Sequence, residues 1–192
     1  MKKAAMFGLD ARIALAIFGA LSVISGAALY SAIQDSKVTS LITELSEIGK
    51  AIESYMLDTG EDVPIAVSTN VDLEKLLSST VANWNGPYIS VSDDTSGDEN
   101  LPHSLYTAVK SRVWGFYGRH DSLGNPAGQH CNSANAPCYY FIEVEGVPLD
   151  IAKSIDLRID GSNDFTSGRI QAIASGSNAY IYYRSHLSFK QK

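Results

Sequence analysis

The sequence predicts an α+β protein in which one long N-terminal helix packs, along its second half, on a small antiparallel β-sheet. Three observations carry this. Residues 13–33, IALAIFGALSVISGAALYSAI, contain no charge and no proline. Helical periodicity then continues unbroken to about residue 56. Beyond residue 100 come runs rich in Tyr, Val, Trp and Phe, separated by Gly, Asn and Ser. The expected organisation is a short basic segment (1–8), a helix (9–59) and a head (60–192).

A helix over residues 13–33 rises about 30 Å, the thickness of a bilayer's hydrocarbon core. A buried helix of a soluble protein is usually shorter or has a polar face. Lys2, Lys3 and Arg12 precede the apolar run and Asp35 follows it. The positive-inside rule places the N-terminus in the cytoplasm and the head beyond the membrane, periplasmic or extracellular. The competing reading is a cleaved secretory signal, with Ser25-Gly26-Ala27-Ala28 as its cleavage site. The following residues argue against it. Val38, Leu41, Ile42, Leu45, Ile48, Ile52, Tyr55 and Met56 recur at three- and four-residue steps, with Lys37, Glu44, Glu47, Lys50 and Glu53 between them. That pattern is an amphipathic helix continuous with the apolar one, closing at Asp58-Thr59-Gly60, where Gly suits a C-cap. The wetted half must lie on a domain, whereas the greasy half is apolar all round. Gly19, Ser22, Ser25 and Gly26 give that half a small-residue surface on which helices can approach closely in lipid.

In the head, Leu73, Leu76 and Leu77 suggest a short helix within 71–81, N-capped by Asn70 or Asp72. Residues 92–100, SDDTSGDEN, read as a solvated acidic loop. Strands are expected over 104–117, 138–145, 168–174 and 179–184, with a helix over 147–157. Ser175-Gly176-Ser177-Asn178 is a hairpin turn signal. Together these give a four-stranded antiparallel sheet on the C-terminal half of the long helix.

The formal net charge is -6, and Lys and Arg are scattered after the first helix. No basic patch marks a nucleic-acid binder, so no nucleic-acid partner is expected. The two cysteines, Cys131 and Cys138, flank a short polar loop, and outside the cytoplasm a disulfide between them is the plain reading. Zinc is not expected, because His130 is the one further ligand at hand and no second Cys or His pair stands at ligand spacing.

Asp160, Ser162, Asn163 and Asp164 make an oxygen-rich turn of the kind calcium uses. No Glu closes an EF-hand loop, and an Asx-rich turn ending a helix is the preferred reading. Asp160, Asn163 and Asp164 are nevertheless the candidate metal ligands, and calcium the candidate ion; otherwise no cofactor is expected. Asp93, Asp94, Asp98 and Glu99 form a lesser candidate cluster. His103, His120, His130 and His186 are scattered. His120-Asp121-Ser122 invites a triad reading, but a triad is spatial rather than sequential. There is no G-x-S-x-G elbow and no phosphate-binding loop, so an enzyme is not expected.

Three stretches together resemble the type IV pilin and type II secretion pseudopilin family. The first is the basic start MKKAAMFG with Gly8, followed by the long apolar helix. The second is NWNGPYIS, residues 83–90, in which Trp84, Gly86, Pro87 and Tyr88 match a W-x-GPY segment of the major pseudopilins. The third, residues 147–172, has Asp156, Ile159, Asp160, Gly161, Thr166 and Gly168 at the family's positions: short helix, acidic turn, strand. The resemblance implies a leader, residues 1–8, cut by a prepilin peptidase between Gly8 and Leu9. It implies a structural subunit of a pilus-like or pseudopilus filament, assembled through its N-terminal helix. The partners implied are copies of itself, other pilins or pseudopilins, the peptidase and an inner-membrane assembly platform, and metal-binding loops occur in some members. The sequence departs from the family at Leu9 and Ile13, where Phe and Glu are usual. An intramembrane Glu is thought to pair with a neighbouring subunit's N-terminal amine; Asp10 and Arg12 bracket that spot here. The alternative is a single-pass anchored binding module that does not polymerise.

Overall fold

The computed structural model describes residues 3–67, 70–91, 100–101, 103, 106, 109–115 and 137–189. The chain divides into two compact units, Met1–Ser40 and Leu41–Lys192. A single α-helix, α1 (Lys3–Thr59), runs through both. It starts earlier than the apolar pattern suggests, because no proline or glycine pair interrupts residues 3–12. It ends where the sequence places the end: Gly60 has φ +73°, and its N–H donates to Met56 O at 2.9 Å. That left-handed residue satisfies an orphan carbonyl of the last turn.

The described residues of the first unit are all helical. Ten large side chains between Ile13 and Ile33 are exposed, among them Leu15 at 75% and Val23 at 74%. Among the described residues this is one helix long and apolar enough to cross a membrane.

The second unit holds an antiparallel sheet ordered β1-β2-β4-β5-β7-β6, with β3 also pairing β4. The strands are β1 (Ile65–Val67), β2 (Asn70–Val71), β3 (Asn100–Leu101), β4 (Val109–Gly115), β5 (Cys138–Pro148), β6 (Ile170–Ser175) and β7 (Asn178–Leu187). The four-stranded expectation therefore undercounts: β1, β2 and β3 are too short for alternation to be read. Within the stretch expected as one strand over 104–117, β4 occupies 109–115. Leu73–Leu76 forms a single 3-10 turn with Asp72 at its N-cap, while Asn70 belongs to β2. The second helix, α2 (Leu149–Asp160), begins two residues later and ends three residues later than expected. Val147 and Pro148 still belong to β5; Pro148, lacking an N–H, sits at the N-cap where none is needed. The β6–β7 hairpin turns at Gly176-Ser177, with Ser175 opposite Asn178 and φ +62° at Gly176. A left-handed first central residue alone is the type II′ pattern, whose twist suits a hairpin.

The core lies between the sheet and the second half of α1. Leu41, Leu45, Ile48, Ile52, Tyr55 and Met56 are buried, at the spacing that predicts them. Tyr140, Ile142 and Val144 of β5 and Ile181 of β7 are buried likewise, the three of β5 at alternate positions. Gly49 lets the helix approach closely: a Cβ there would stand 2.5 Å from Ser185 Oγ and 3.7 Å from Ile142. Ile151, Ala152 and Ile155 of α2 are buried too, and α2 packs against β5, β6 and β7.

Candidate functional sites: the apolar helix and the acidic turn

Gly8 and Leu9 lie within α1, and Gly8 is exposed. Arg12 and Asp10 are also exposed on the first unit. Among the described residues, the large apolar side chains from Ile13 to Ile33 are exposed. Ser22 Oγ donates to Phe18 O at 2.8 Å, so this hydroxyl is satisfied within its own helix. Soluble monomers rarely expose contiguous apolar patches of more than a few hundred Å².

In the second unit, the resembling NWNGPYIS segment folds as a compact aromatic knot. Trp84 Nε1 donates to Lys75 O at 2.9 Å. Tyr88 sits edge-on to both Trp84 and Tyr55, at 5.7 and 6.0 Å between ring centres. Its hydroxyl donates to Asp58 Oδ2 at 2.9 Å and accepts the Asn85 N–H. Asn83 has φ +64°, which Asn tolerates, and the Gly86–Pro87 bond is cis. The loop is thereby fastened to the last turn of α1. Beside it, a shallow groove of about 300 Å³ is lined by Glu47, Lys50 and Ser54 of α1 and by Tyr88, Ile89 and Ser90.

A second fastening, with no signal in the sequence, centres on Asp62. Its carboxylate accepts hydrogen bonds from Tyr140 Oη at 2.9 Å, Ser188 Oγ at 3.0 Å and the Phe189 N–H at 2.9 Å. Tyr140 Oη in turn accepts the Val63 N–H at 3.1 Å. Burial, then the Asp62 charge, raises the Tyr140 pKa well beyond its usual range, so the phenol is a fixed donor.

The acidic turn uses its oxygens internally. Asp160 Oδ1 accepts the Arg169 N–H at 3.0 Å, and Oδ2 the Ile170 N–H at 2.7 Å. Asp164 Oδ1 accepts from the Thr166 N–H and hydroxyl at 3.1 and 2.6 Å, and Oδ2 from Ser167 Oγ at 2.9 Å. Asn163 is exposed. Gly161 and Gly168 both have positive φ; a Cβ at Gly168 would collide with the Asp160 carboxylate. Among the described residues no group of three His, Cys, Asp or Glu is placed to hold a metal ion. Asp164 thus closes an Asx-type turn on Thr166, and Asp160 caps the two amides that open β6. A fourth member was not singled out as a ligand: Asp156, fully buried on the apolar stripe of α2, with neither oxygen hydrogen-bonded. Its position after Ile151, Ala152 and Ile155 is the signal that marks it. Burial, then the charges of Asp160 and Asp164, push its pKa up to about 6.

The histidines divide. His103 Nδ1 accepts the Tyr106 N–H at 3.1 Å, and Nε2 lies 2.8 Å from Glu44 Oε2. His186 Nδ1 is 2.8 Å from Ser185 Oγ, and its ring stacks at 5.1 Å on Tyr140; burial lowers its pKa. Residues 120–122, His130, Cys131 and the acidic residues Asp93, Asp94, Asp98 and Glu99 lie outside the described residues. Cys138 is buried at the start of β5, and it is not a free thiol.

Compared with family models, with curated proteins and with solved structures, the chain matches none of them.

Proposed function

We propose that the chain is a structural subunit of a type IV pilus-like or type II secretion pseudopilus filament, assembled through its N-terminal helix. The observation that carries this is α1 itself: apolar on every side over 13–33 and one-sided from Leu41 to Met56, with no break between the two patterns. A single-pass anchor would need the first property alone. A helix that changes from all-round apolar to one-sided without a break in its hydrogen-bonded run suits a subunit drawn out of lipid and bundled with its neighbours. Head-to-tail packing of identical rods gives a helical filament wherever its rotation does not close into a ring.

On this reading the subunit sits in the inner membrane with its N-terminus cytoplasmic and its head periplasmic or extracellular. A prepilin peptidase removes residues 1–8 by cutting between Gly8 and Leu9, and Cys131 and Cys138 are paired in the exported head. The partners are copies of this chain, other pilins or pseudopilins, and an inner-membrane assembly platform. The role is structural rather than catalytic, and it calls for no cofactor. One feature favours the second reading, an anchored binding module that stays monomeric: Ile13 stands where the family's intramembrane Glu would pair with a neighbour.

Two measurements separate these readings. The intact mass in cells with and without prepilin peptidase is expected to differ by the leader. An unchanged mass removes the processing step from the proposal. Cysteines at positions 17 and 23 are expected to cross-link neighbouring copies in membranes. Monomers throughout would select the anchored module.

A further inference from the structure

Two features of the head fit each other, yet belong to different ends of its sheet. The first is the outward face of α2. The inward stripe of this helix, Ile151, Ala152, Ile155 and Asp156, is buried. Lys153, Ser154, Leu157 and Arg158 are exposed, Leu157 at 54%. A single exposed leucine needs no explanation. This one is framed by charge: Lys153 stands one turn before it and Arg158 follows it, while Asp150 lies two turns away. An apolar knob is thus flanked by two cations.

The second feature is the groove of about 300 Å³ along α1. Ala51, Tyr88 and Ile89 give it an apolar lining, with Glu47 and Ser54 one turn to either side of Ala51. One turn beyond Ser54 comes Asp58, which is exposed and accepts the Tyr88 hydroxyl at 2.9 Å. An apolar slot is thus flanked along the helix by two carboxylates. Lys50 is the one cation among its described lining residues.

The groove is closed by residues 88–90, which are tied to the 3-10 turn: the Tyr88 N–H donates to Leu76 O at 2.8 Å. That turn packs on β3, at the end of the sheet where β1 and β2 lie. In contrast, α2 packs against β5, β6 and β7, and β6 is the opposite edge. Two different patches that complement each other make a heterologous contact, which propagates from copy to copy.

We propose that the head carries such a contact between copies of this chain: Leu157 of one copy seats in the groove between α1 and residues 88–90 of the next, and Lys153 pairs with Glu47 there. A second copy is the fitting occupant because the signs match, Lys153 and Arg158 around the knob against Glu47 and Asp58 around the slot. Complementary charges around an apolar anchor fix the register of a contact more than its strength. The contact rests on the filament reading, and it is the surface through which heads of that filament touch.

The test uses the full-length chain in its membrane. Ser54→Cys and Leu157→Cys in one chain, both at exposed positions, are expected to give a ladder of dimers and higher oligomers on mild oxidation, whereas either change alone leaves monomers. Adding Lys153→Glu is expected to reduce the ladder about threefold or more, and adding Glu47→Lys to that variant restores it. A photoreactive residue at position 157 is expected to label residues 47–54 or 88–90 of another copy, told apart by mixing isotope-labelled and unlabelled chains. No ladder while cysteines at 17 and 23 still cross-link overturns the head contact and leaves the filament reading standing. Loss of both cross-links removes both. Dimers without higher oligomers mark a symmetric contact and overturn the proposal, as does failure of Glu47→Lys to restore the ladder. Label found on lipid or on a different protein overturns it as well.

Discussion

Two stretches of the same helix, 13–33 and 41–56, carry nearly the same kinds of apolar residue and meet opposite fates. Leu15, Phe18 and Leu21 are exposed at 75, 72 and 57%; Leu45 and Ile52 are at 0%. What distinguishes the stretches in the sequence is what stands between the apolar positions. Ala, Gly and Ser fill the first, leaving no wettable face. Glu44, Glu47, Lys50 and Glu53 fill the second, leaving one face for water and one for the sheet. The lesson is that hydrophobic content fixes neither stretch's environment, whereas its angular distribution does. The first is exposed all round. The second finds a partner within the head.

The largest expected effect breaks this comparison apart with one substitution made in each stretch. Leu45→Ala removes methyl groups from a full core and is expected to cost the head about 3 kcal/mol or more. Leu21→Ala is expected to leave head stability within about 0.5 kcal/mol, as for a side chain the head does not bury. Thermal unfolding followed by near-ultraviolet circular dichroism, on detergent-solubilised protein, reads both. Leu21→Asp carries the test into lipid: a carboxylate near the middle of a spanning helix costs about 3 kcal/mol. It is expected to reduce membrane retention while the head still unfolds at its original temperature. Equal loss of head stability at the two positions would remove the distinction.

The next effect concerns how the wetted stretch is tied down. Asp62 receives three donors from the far end of the chain, Tyr140, Ser188 and Phe189. Asp62→Ala leaves the buried Tyr140 hydroxyl without an acceptor and is expected to cost about 2–3 kcal/mol. Tyr140→Phe removes donor and need together and is expected to cost less. If the two variants are equally destabilised, the hub is not organised around that phenol.

How much of this was legible in the sequence depends on the kind of signal. Long elements with a clear period were readable: the second half of α1 with its end at Gly60, and the β6–β7 hairpin over Ser175–Asn178. The beginning of α1 was not, since apolar periodicity says nothing about residues 3–12. Strands of two or three residues carry no alternation to count, so β1, β2 and β3 were missed. The acidic turn was visible as a composition, but whether its oxygens would face outward to an ion or inward to backbone N–H groups depends on the left-handed glycines at 161 and 168. Asp156 was readable in principle, as a carboxylate standing on an apolar stripe. Asp62 was not: its partners lie 78 and 126 residues away.

The smallest expected effect uses the glycines of α1, which sharpen the contrast between its two stretches better than any leucine. At Gly19 and Gly26 an added Cβ meets nothing within 4 Å. At Gly49 it meets Ser185 Oγ, which is engaged with His186 Nδ1 at 2.8 Å. Alanine gains about 1 kcal/mol over glycine in a helix interior. At Gly49 that gain is offset by about 1 kcal/mol, because the hydroxyl must rotate and give up its bond to the histidine. Gly49→Ala is therefore expected to leave head stability nearly unchanged, whereas Gly49→Leu, which cannot be accommodated by rotating one hydroxyl, destabilises it by about 1–3 kcal/mol. Gly19→Leu is expected to leave head unfolding alone and to reduce the cross-linking between copies at positions 17 and 23, because small residues are what let helices approach in lipid. Unaltered cross-linking in Gly19→Leu would mean that this face of the helix is not the one neighbouring copies share, and the packing surface would have to be sought on the opposite side, which carries Leu21 and Ile24.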